Sequence, residues 1–295
     1  MGGIASWIRH TSKYLRCLMP LSRHSGVRMP TLNPQSPIPN LQSPISSPQS
    51  PMKAMILAAG EGMRLRPLTL ETPKILLPIE GTPLIQYTLA WLKSHGISEV
   101  AINLHHLGEK IKDFLGDGSK FGVRICYSPE EKLLGTAGGV KKMEKFFDGT
   151  FAVVYGDVLT DFNLSAMANY HKEKKALGTL ALFQAPNPWQ AGIVEIDKQG
   201  RLLRFREKPP RGSESGNLSS GGVYILEKDI LSYILGEGFC DFGYDVFPKL
   251  VELALPLYGY ILEPQDYLID IGTPEKYHKA QEIWQRVLSP KSVSQ

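Results

Sequence analysis

Cysteine is scarce in this chain of 295 residues, with only Cys17, Cys126 and Cys240. They form no Cys-x-x-Cys pair and no metal-ligand spacing, which excludes a disulfide framework and a structural zinc site. A reduced, cytoplasmic compartment is the simplest reading. Long apolar runs are missing too: none approaches the roughly 20 residues of a membrane-spanning helix. Acidic residues are absent from residues 1–51, whereas Arg9, Lys13, Arg16, Arg23 and Arg28 lie there. The net charge of +4 is therefore local. Taking those five from the 33 basic residues leaves 28 against 29 acidic ones, a net of −1 from residue 52 onward. The charge gives no reason to expect a nucleic-acid partner.

Residues 1–51 differ in texture from the rest. Gln35-Ser36-Pro37, Gln42-Ser43-Pro44 and Gln49-Ser50-Pro51 recur every seven residues, and their prolines forbid helix. A disordered Pro/Ser/Gln-rich extension is expected. It is an organelle transit peptide, a tether, or upstream sequence translated from an early start codon with Met52 as the true beginning; we favour the last.

From Met52 strands and helices alternate. Strands are expected at Lys53–Ala59, Val100–Leu104, Val123–Tyr127, Phe151–Tyr155 and Thr179–Phe183. Helices are expected from a Thr82-Pro83 cap, over Leu107–Leu115, around Val140–Phe147, and from an Asn163 cap to about Lys174. After Pro186, Gly192–Asp197 and Leu202–Arg206 read as a hairpin. Gly222–Leu226 and Leu257–Leu262 read as strands flanking a helix near Asp245–Leu253, and Thr273 caps a last helix to about Leu288. This alternation predicts an α/β fold with a mostly parallel sheet covered by helices on both faces. One domain is expected over 52–290, with halves at 52–185 and 186–290.

Four segments carry candidate chemistry. The first is Leu57-Ala58-Ala59-Gly60-Glu61-Gly62-Met63-Arg64, with Pro73-Lys74 behind it. A strand ending in glycines bares backbone N–H groups, and two cations follow, which suits a triphosphate. It is not a Walker loop, because no Lys-Ser/Thr follows the glycines. It is not a dinucleotide loop either, because Leu65 stands where the third glycine belongs. The glycines alone equally describe an ordinary strand-to-loop turn. The second segment is Gly156-Asp157 at a strand end, where ligands of open sheets gather, though a turn aspartate looks the same. The third is Asp270-Ile271-Gly272-Thr273-Pro274, whose plain role is to start the last helix. The fourth is Phe205-Arg206-Glu207-Lys208-Pro209, by itself a solvated charge run.

The string Leu57–Thr69 with Pro73-Lys74 resembles the signature of the sugar-1-phosphate nucleotidylyltransferases, Leu-Ala-x-Gly-x-Gly-Thr-Arg-Leu-x-Pro-Leu-Thr followed by Pro-Lys. The resemblance spans about residues 53–285, with motifs in the expected order. It implies a Rossmann-like GT-A nucleotidyltransferase fold, without the β-helix that some relatives append. It also implies the site roles. Arg64 and Lys74 are the catalytic cations. Leu57, Ala58, Ala59, Gly60, Glu61, Gly62, Met63, Gly135, Thr136, Ala137 and Gly156 bind nucleotide. Gly192, Glu207, Lys208 and Ser220 bind the sugar phosphate, and Asp157 with Asp270 bind Mg2+, which takes one or two carboxylates and fills its shell with water and phosphate oxygens.

Three positions depart from the pattern. Met63 replaces a hydroxyl residue, Ile75 replaces a proline, and Ser220 stands where an asparagine often contacts the sugar. Leu134-Gly135-Thr136-Ala137-Gly138-Gly139 resembles mannose-1-phosphate guanylyltransferase-like members and lacks the glutamine of thymidylyl enzymes. The expected partners are thus an NTP, with GTP favoured, and a sugar 1-phosphate such as mannose 1-phosphate. Uridylyl, thymidylyl or cytidylyl transfer to glucose 1-phosphate is the alternative, as is a regulatory homologue that binds without catalysis. A glycosyltransferase built on Asp157 and Asp161 is disfavoured by their spacing. His105 and His106 are read as structural. A homo-oligomer is left open.

Overall fold

The computed structural model describes residues 51–288 except 214, 215 and 237. The proline-rich extension lies outside the described residues.

The first strand, β1 (Lys53–Leu57), carries Ala54, Met55 and Ile56 with no exposure at all. Apolar side chains on both faces require cover on both sides, which is the burial pattern of a parallel sheet interior. A ribbon of β2 (Pro78–Ile79) and β3 (Thr82–Pro83) follows, then α1 (Leu84–Ser94), β4 (Glu99–Leu104), α2 (Gly108–Leu115), β5 (Arg124–Pro129), α3 (Gly135–Lys142) and β6 (Phe151–Tyr155). β1 pairs in parallel with β4 on one side and β6 on the other, and β4 pairs in parallel with β5.

The chain continues with β7 (Val158–Thr160), α4 (Leu164–Lys174), β8 (Gly178–Gln184), β9 (Gly192–Ile196), β10 (Leu202–Glu207) and β11 (Leu218–Leu226). It closes with α5 (Phe247–Glu252), β12 (Leu257–Ile261), β13 (Leu268–Asp270) and α6 (Pro274–Leu288). β11 joins these later strands to the parallel ones by running antiparallel to β6. The sheet order is β10-β9-β11-β6-β1-β4-β5, with β8 bridging β11 to β12. One apolar cluster contains Ile56, Ile85, Leu89 and Ile102, and another contains Met55, Phe151, Tyr224 and Phe247. β13 lies on β7, and α6 closes a third cluster with Leu65, Ile79 and Trp284.

Two expected helix starts are displaced. Thr82 does not cap α1: Ile79 pairs with Thr82, which keeps the Thr82-Pro83 pair extended, and the helix begins at Leu84 behind Pro83. The helix expected around Val140–Phe147 starts earlier, at Gly135, and ends at Lys142. Its free N–H groups find a tertiary partner, since the Cys240 carbonyl accepts from both Ala137 and Gly138 at 3.0 Å. Such a cap, supplied from 102 positions beyond Gly138, leaves no local sequence signal. Asn163 does cap α4, its Oδ1 accepting from the Ala166 N–H at 2.9 Å.

Candidate active site

The glycine loop leaves the carboxyl end of β1. Gly62 has φ 63°, and a Cβ there would lie 2.9 Å from Thr69 Cγ2, so both its backbone and its neighbour require glycine. Thr69 Oγ1 donates to the Gly62 carbonyl at 2.8 Å and closes the loop. Asn103, buried at the end of β4, accepts the Ala58 N–H at 2.7 Å and donates Nδ2 to Glu130 Oε1 at 2.8 Å. Glu130 Oε2 in turn accepts the Leu134 N–H at 3.0 Å. A chain of three hydrogen bonds thus fixes the glycine loop against the start of α3. Gly139 makes room for it: a Cβ there would lie 2.8 Å from Glu130 Oε1.

Charge collects at the neighbouring strand ends. Lys74 Nζ lies 2.6 Å from Asp157 Oδ2. Burial pushes the Asp157 carboxyl up, but Lys74 and, more weakly, Arg64 outweigh it and hold it below the usual carboxylate range. Gly156, before it, packs so closely that a Cβ would lie 2.7 Å from the Leu57 carbonyl oxygen. The glycine of this Gly-Asp pair is therefore a packing requirement. Antiparallel pairing sets Asp270 opposite Val158, and the Ile271 N–H donates to the Asp157 carbonyl at 2.9 Å. The two aspartates, 113 positions apart in sequence, reach adjoining strand ends. Asp270 Oδ1 accepts the Gly272 N–H at 3.0 Å, and Oδ2 accepts Lys276 Nζ at 2.5 Å. A Cβ on Gly272 would meet Asp270 Oδ1 at 2.7 Å and Arg64 Nη2 at 2.8 Å, so Arg64 and Asp270 crowd the same point.

This donor set suits Mg2+. It offers hard carboxylate oxygens and no sulfur or imidazole, and Mg2+ takes only one or two carboxylates; among the described residues no group of three or more His, Cys, Asp or Glu could hold a metal ion by itself. Asp157 and Asp270 could hold a cation that completes its shell with water and phosphate.

A pocket of about 280 Å³ opens above these strand ends. Leu57, Ala58, Ala59, Gly60, Lys74, Gly135, Thr136 and Asp157 line it. Asn103, Glu130, Leu133, Tyr155, Phe239 and Asp241 line it as well, none of them singled out from the sequence. Asn103 left one signal, a lone amide in the apolar run Val100–Leu104; Asp241 left none. Other expected residues stand back. Ala137 is fully buried with its N–H bound to Cys240, Met63 is 64% exposed, and Glu61 faces Arg66 at 3.7 Å. His105 and His106 each bond a backbone carbonyl, of Glu130 at 2.8 Å and Thr69 at 3.2 Å.

The sugar-phosphate candidates adjoin this pocket through Asp241. Asp241 Oδ2 accepts Thr136 Oγ1 at 2.9 Å, while Oδ1 accepts the N–H groups of Gly243 and Tyr244. Glu207 lies beneath: Cβ atoms on Gly192 and Gly243 would come within 2.7 and 2.5 Å of its Oε2. Burial pushes the Glu207 carboxyl up, and Asp241 adds to this, against the opposing pull of Lys208 at 3.2 Å. Lys208 has φ 42°, a left-handed backbone that a non-glycine residue adopts only under tertiary constraint. Ser220 Oγ donates to Tyr224 OH at 3.2 Å, and Tyr224 meets Tyr155 edge-on with centroids 5.7 Å apart. Burial pushes both phenols well up, so they remain protonated donors.

Residues 53–286 match the nucleotidyl transferase family. A UTP–glucose-1-phosphate uridylyltransferase of Synechocystis is 38% identical over 243 residues, covering 78% of this chain and 62% of its own length. A mannose-1-phosphate guanylyltransferase of Mycobacterium tuberculosis is 32% identical over 242 residues, covering 80% of this chain and 66% of its own. The chain thus spans less than two thirds of either relative. A UDP-glucose pyrophosphorylase crystallised with UDP-glucose shares the fold at TM-score 0.68 and 20% identity, covering 81% of this chain and all of that one. By its match over residues 53–286, the chain belongs to the nucleotidyl transferase family.

Proposed function

We propose that this chain transfers a nucleotidyl group from a nucleoside triphosphate to a sugar 1-phosphate. A phosphate oxygen of the sugar 1-phosphate attacks the α-phosphorus. The bond from the α-phosphorus to the bridging oxygen breaks, and pyrophosphate leaves with the electron pair. The observation that carries this reading is the Lys74–Asp157 pair at 2.6 Å in the wall of a glycine-loop pocket, with Arg64 beside it. Such a site can anchor a triphosphate and neutralise charge at its α-phosphate, and phosphoryl-type transfer needs little beyond positioning and charge stabilisation.

In this reading the bared N–H groups after Ala59 and the guanidinium of Arg64 hold the β- and γ-phosphates. Lys74 faces the α-phosphate and stabilises the charge that builds there. Lys208, half-exposed beside Glu207, grips the incoming phosphate, while Glu207 and Ser220 face sugar hydroxyls. Mg2+ held by Asp157 and Asp270 would neutralise phosphate charge and polarise the α-phosphorus. The finer reading is GTP with mannose 1-phosphate. It is supported by the Leu134–Gly139 segment and by the name of the mycobacterial relative; the name of the Synechocystis relative favours UTP with glucose 1-phosphate.

Pyrophosphate release is the test, with Mg2+, each of five triphosphates and a panel of sugar 1-phosphates. Release requiring both substrates, lost with EDTA and in Asp157→Asn, is the expected result, greatest with GTP and mannose 1-phosphate. Release with UTP and glucose 1-phosphate would correct the substrates and keep the reaction. Silence across the panel with triphosphate still bound would favour the regulatory homologue.

A further inference from the structure

Lys276 lies just outside the Asp270–Pro274 segment, yet its Nζ lies 2.5 Å from Asp270 Oδ2. It sits in the first turn of α6, and its own N–H faces the capping Thr273 Oγ1 at 3.3 Å. A cation in the first turn opposes the helix dipole, so this lysine is not placed there for the helix. Nor is the pair a fully solvated surface contact: the side chains are only 33% and 35% exposed. With the Gly272 N–H on Oδ1, both oxygens of Asp270 are already engaged. Asp157 is engaged at Oδ2 by Lys74. Around the two carboxylates stand three cations, Arg64, Lys74 and Lys276, an excess of one positive charge. A bare dication meets net repulsion there, whereas a triphosphate reverses the sign.

We propose that Lys276 is a resident counter-ion that competes with the divalent cation for Asp270. It keeps the carboxylate occupied in the free protein and yields it when the cation arrives together with triphosphate. The cation's affinity is thereby made dependent on the nucleotide. This rests on the assignment of Asp157 and Asp270 to the metal, and not on which base or sugar is used.

The test is Mn2+ binding by the full chain, read from the electron paramagnetic resonance of free Mn2+, with and without a non-hydrolysable triphosphate analogue. Lys276→Met and Lys276→Gln are compared with the unaltered protein, with thermal melts confirming that each is folded. Without nucleotide, both variants are expected to bind Mn2+ on the order of tenfold more tightly, the effect of removing one unit charge from a partly desolvated site. With the analogue the difference should shrink, and adding Asp270→Asn to Lys276→Met should abolish the gain. Folded variants whose nucleotide-free Mn2+ affinity is unchanged or weaker would overturn the proposal. So would a gain that survives Asp270→Asn. Because no turnover is measured, a chain that releases no pyrophosphate yet tightens on Mn2+ would separate this inference from the proposed reaction.

Discussion

At the scale of single residues, geometry distinguishes groups of similar appearance. Lys74 and Lys208 are both lysines near carboxylates, but Lys74 is largely buried against Asp157 while Lys208 is half-exposed on a left-handed backbone. Lys74→Ala is expected to lower turnover by on the order of 10²–10³-fold, because it removes charge stabilisation needed most in the transition state. Lys208→Ala should chiefly raise the KM for the sugar phosphate; steady-state kinetics with each substrate varied separates the two. Gly192 is a subtler case. An alanine there would place its Cβ 2.5 Å from Phe205 Cζ and 2.7 Å from Glu207 Oε2, displacing the carboxylate. Gly192→Ala should lower kcat/KM for the sugar phosphate by on the order of 10²-fold while triphosphate binding persists, a misplacement effect. Triphosphate affinity falling equally would show that Gly192 serves the whole fold.

At the scale of elements, two polar networks tie strands to their neighbours. Asn103 links the loop after β1 to the start of α3 through Glu130. Asn103→Ala strands the Ala58 N–H, so a loss of about 1–3 kcal/mol in denaturant unfolding is expected, with weaker triphosphate binding. Far from the pocket, buried His171 on α4 contacts Thr179 Oγ1 at 2.8 Å and Glu227 Oε1 at 3.1 Å, and Thr150 Oγ1 donates to the same carboxylate at 2.7 Å. Burial pushes the Glu227 carboxyl up, yet the bonds from His171 and Thr150 hold it below its ordinary 4.5. A depressed carboxylate stabilises the fold above its unfolded value, and that contribution is lost as pH falls through the depressed value. Melting temperature should therefore drop below about pH 4.5, and Glu227→Gln should flatten that part of the profile. An unchanged acid limb in the variant would assign the drop to other carboxylates.

At the scale of the whole molecule, α6 carries Lys276 at one end and covers a separate core at the other. Trp284 is 6% exposed and meets Tyr87 edge-on with centroids 5.4 Å apart, over a cluster that includes Leu65 of the glycine-loop segment. Trp284→Ala should cost about 3–5 kcal/mol of unfolding free energy. Because Leu65 follows Arg64 directly, the same variant should weaken triphosphate binding in a fluorescence titration even where the protein remains folded. Binding that is unaffected would show that the loop is held by Thr69 and Asn103 alone.

Much of this was legible in the chain. Strand order of appearance, the α/β class, the hairpin of β9 and β10 and the Asn163 cap follow from apolar periodicity and local hydrogen-bonding chemistry, which act over a few residues. Of the strings that carried candidate chemistry, Gly156-Asp157 meets Lys74 at 2.6 Å, and Asp270 pairs opposite Val158 next to it. Thr82 and Val140 misled as helix markers because a paired strand and the Cys240 carbonyl, both tertiary, set those starts. Asn103, Glu130 and Asp241 are common polar residues whose sequence neighbours say nothing of their distant partners, whereas Lys276 meets Asp270 only six positions away. The distant contacts span 27 positions for Asn103 with Glu130 and 105 for Thr136 with Asp241. Sequence by itself determined the class, the motifs and their order, since those are properties of adjacent residues. Only the tertiary structure decided that Lys74 met Asp157, 83 positions away, because electrostatics acts across space and strand packing, not chain proximity, sets that distance.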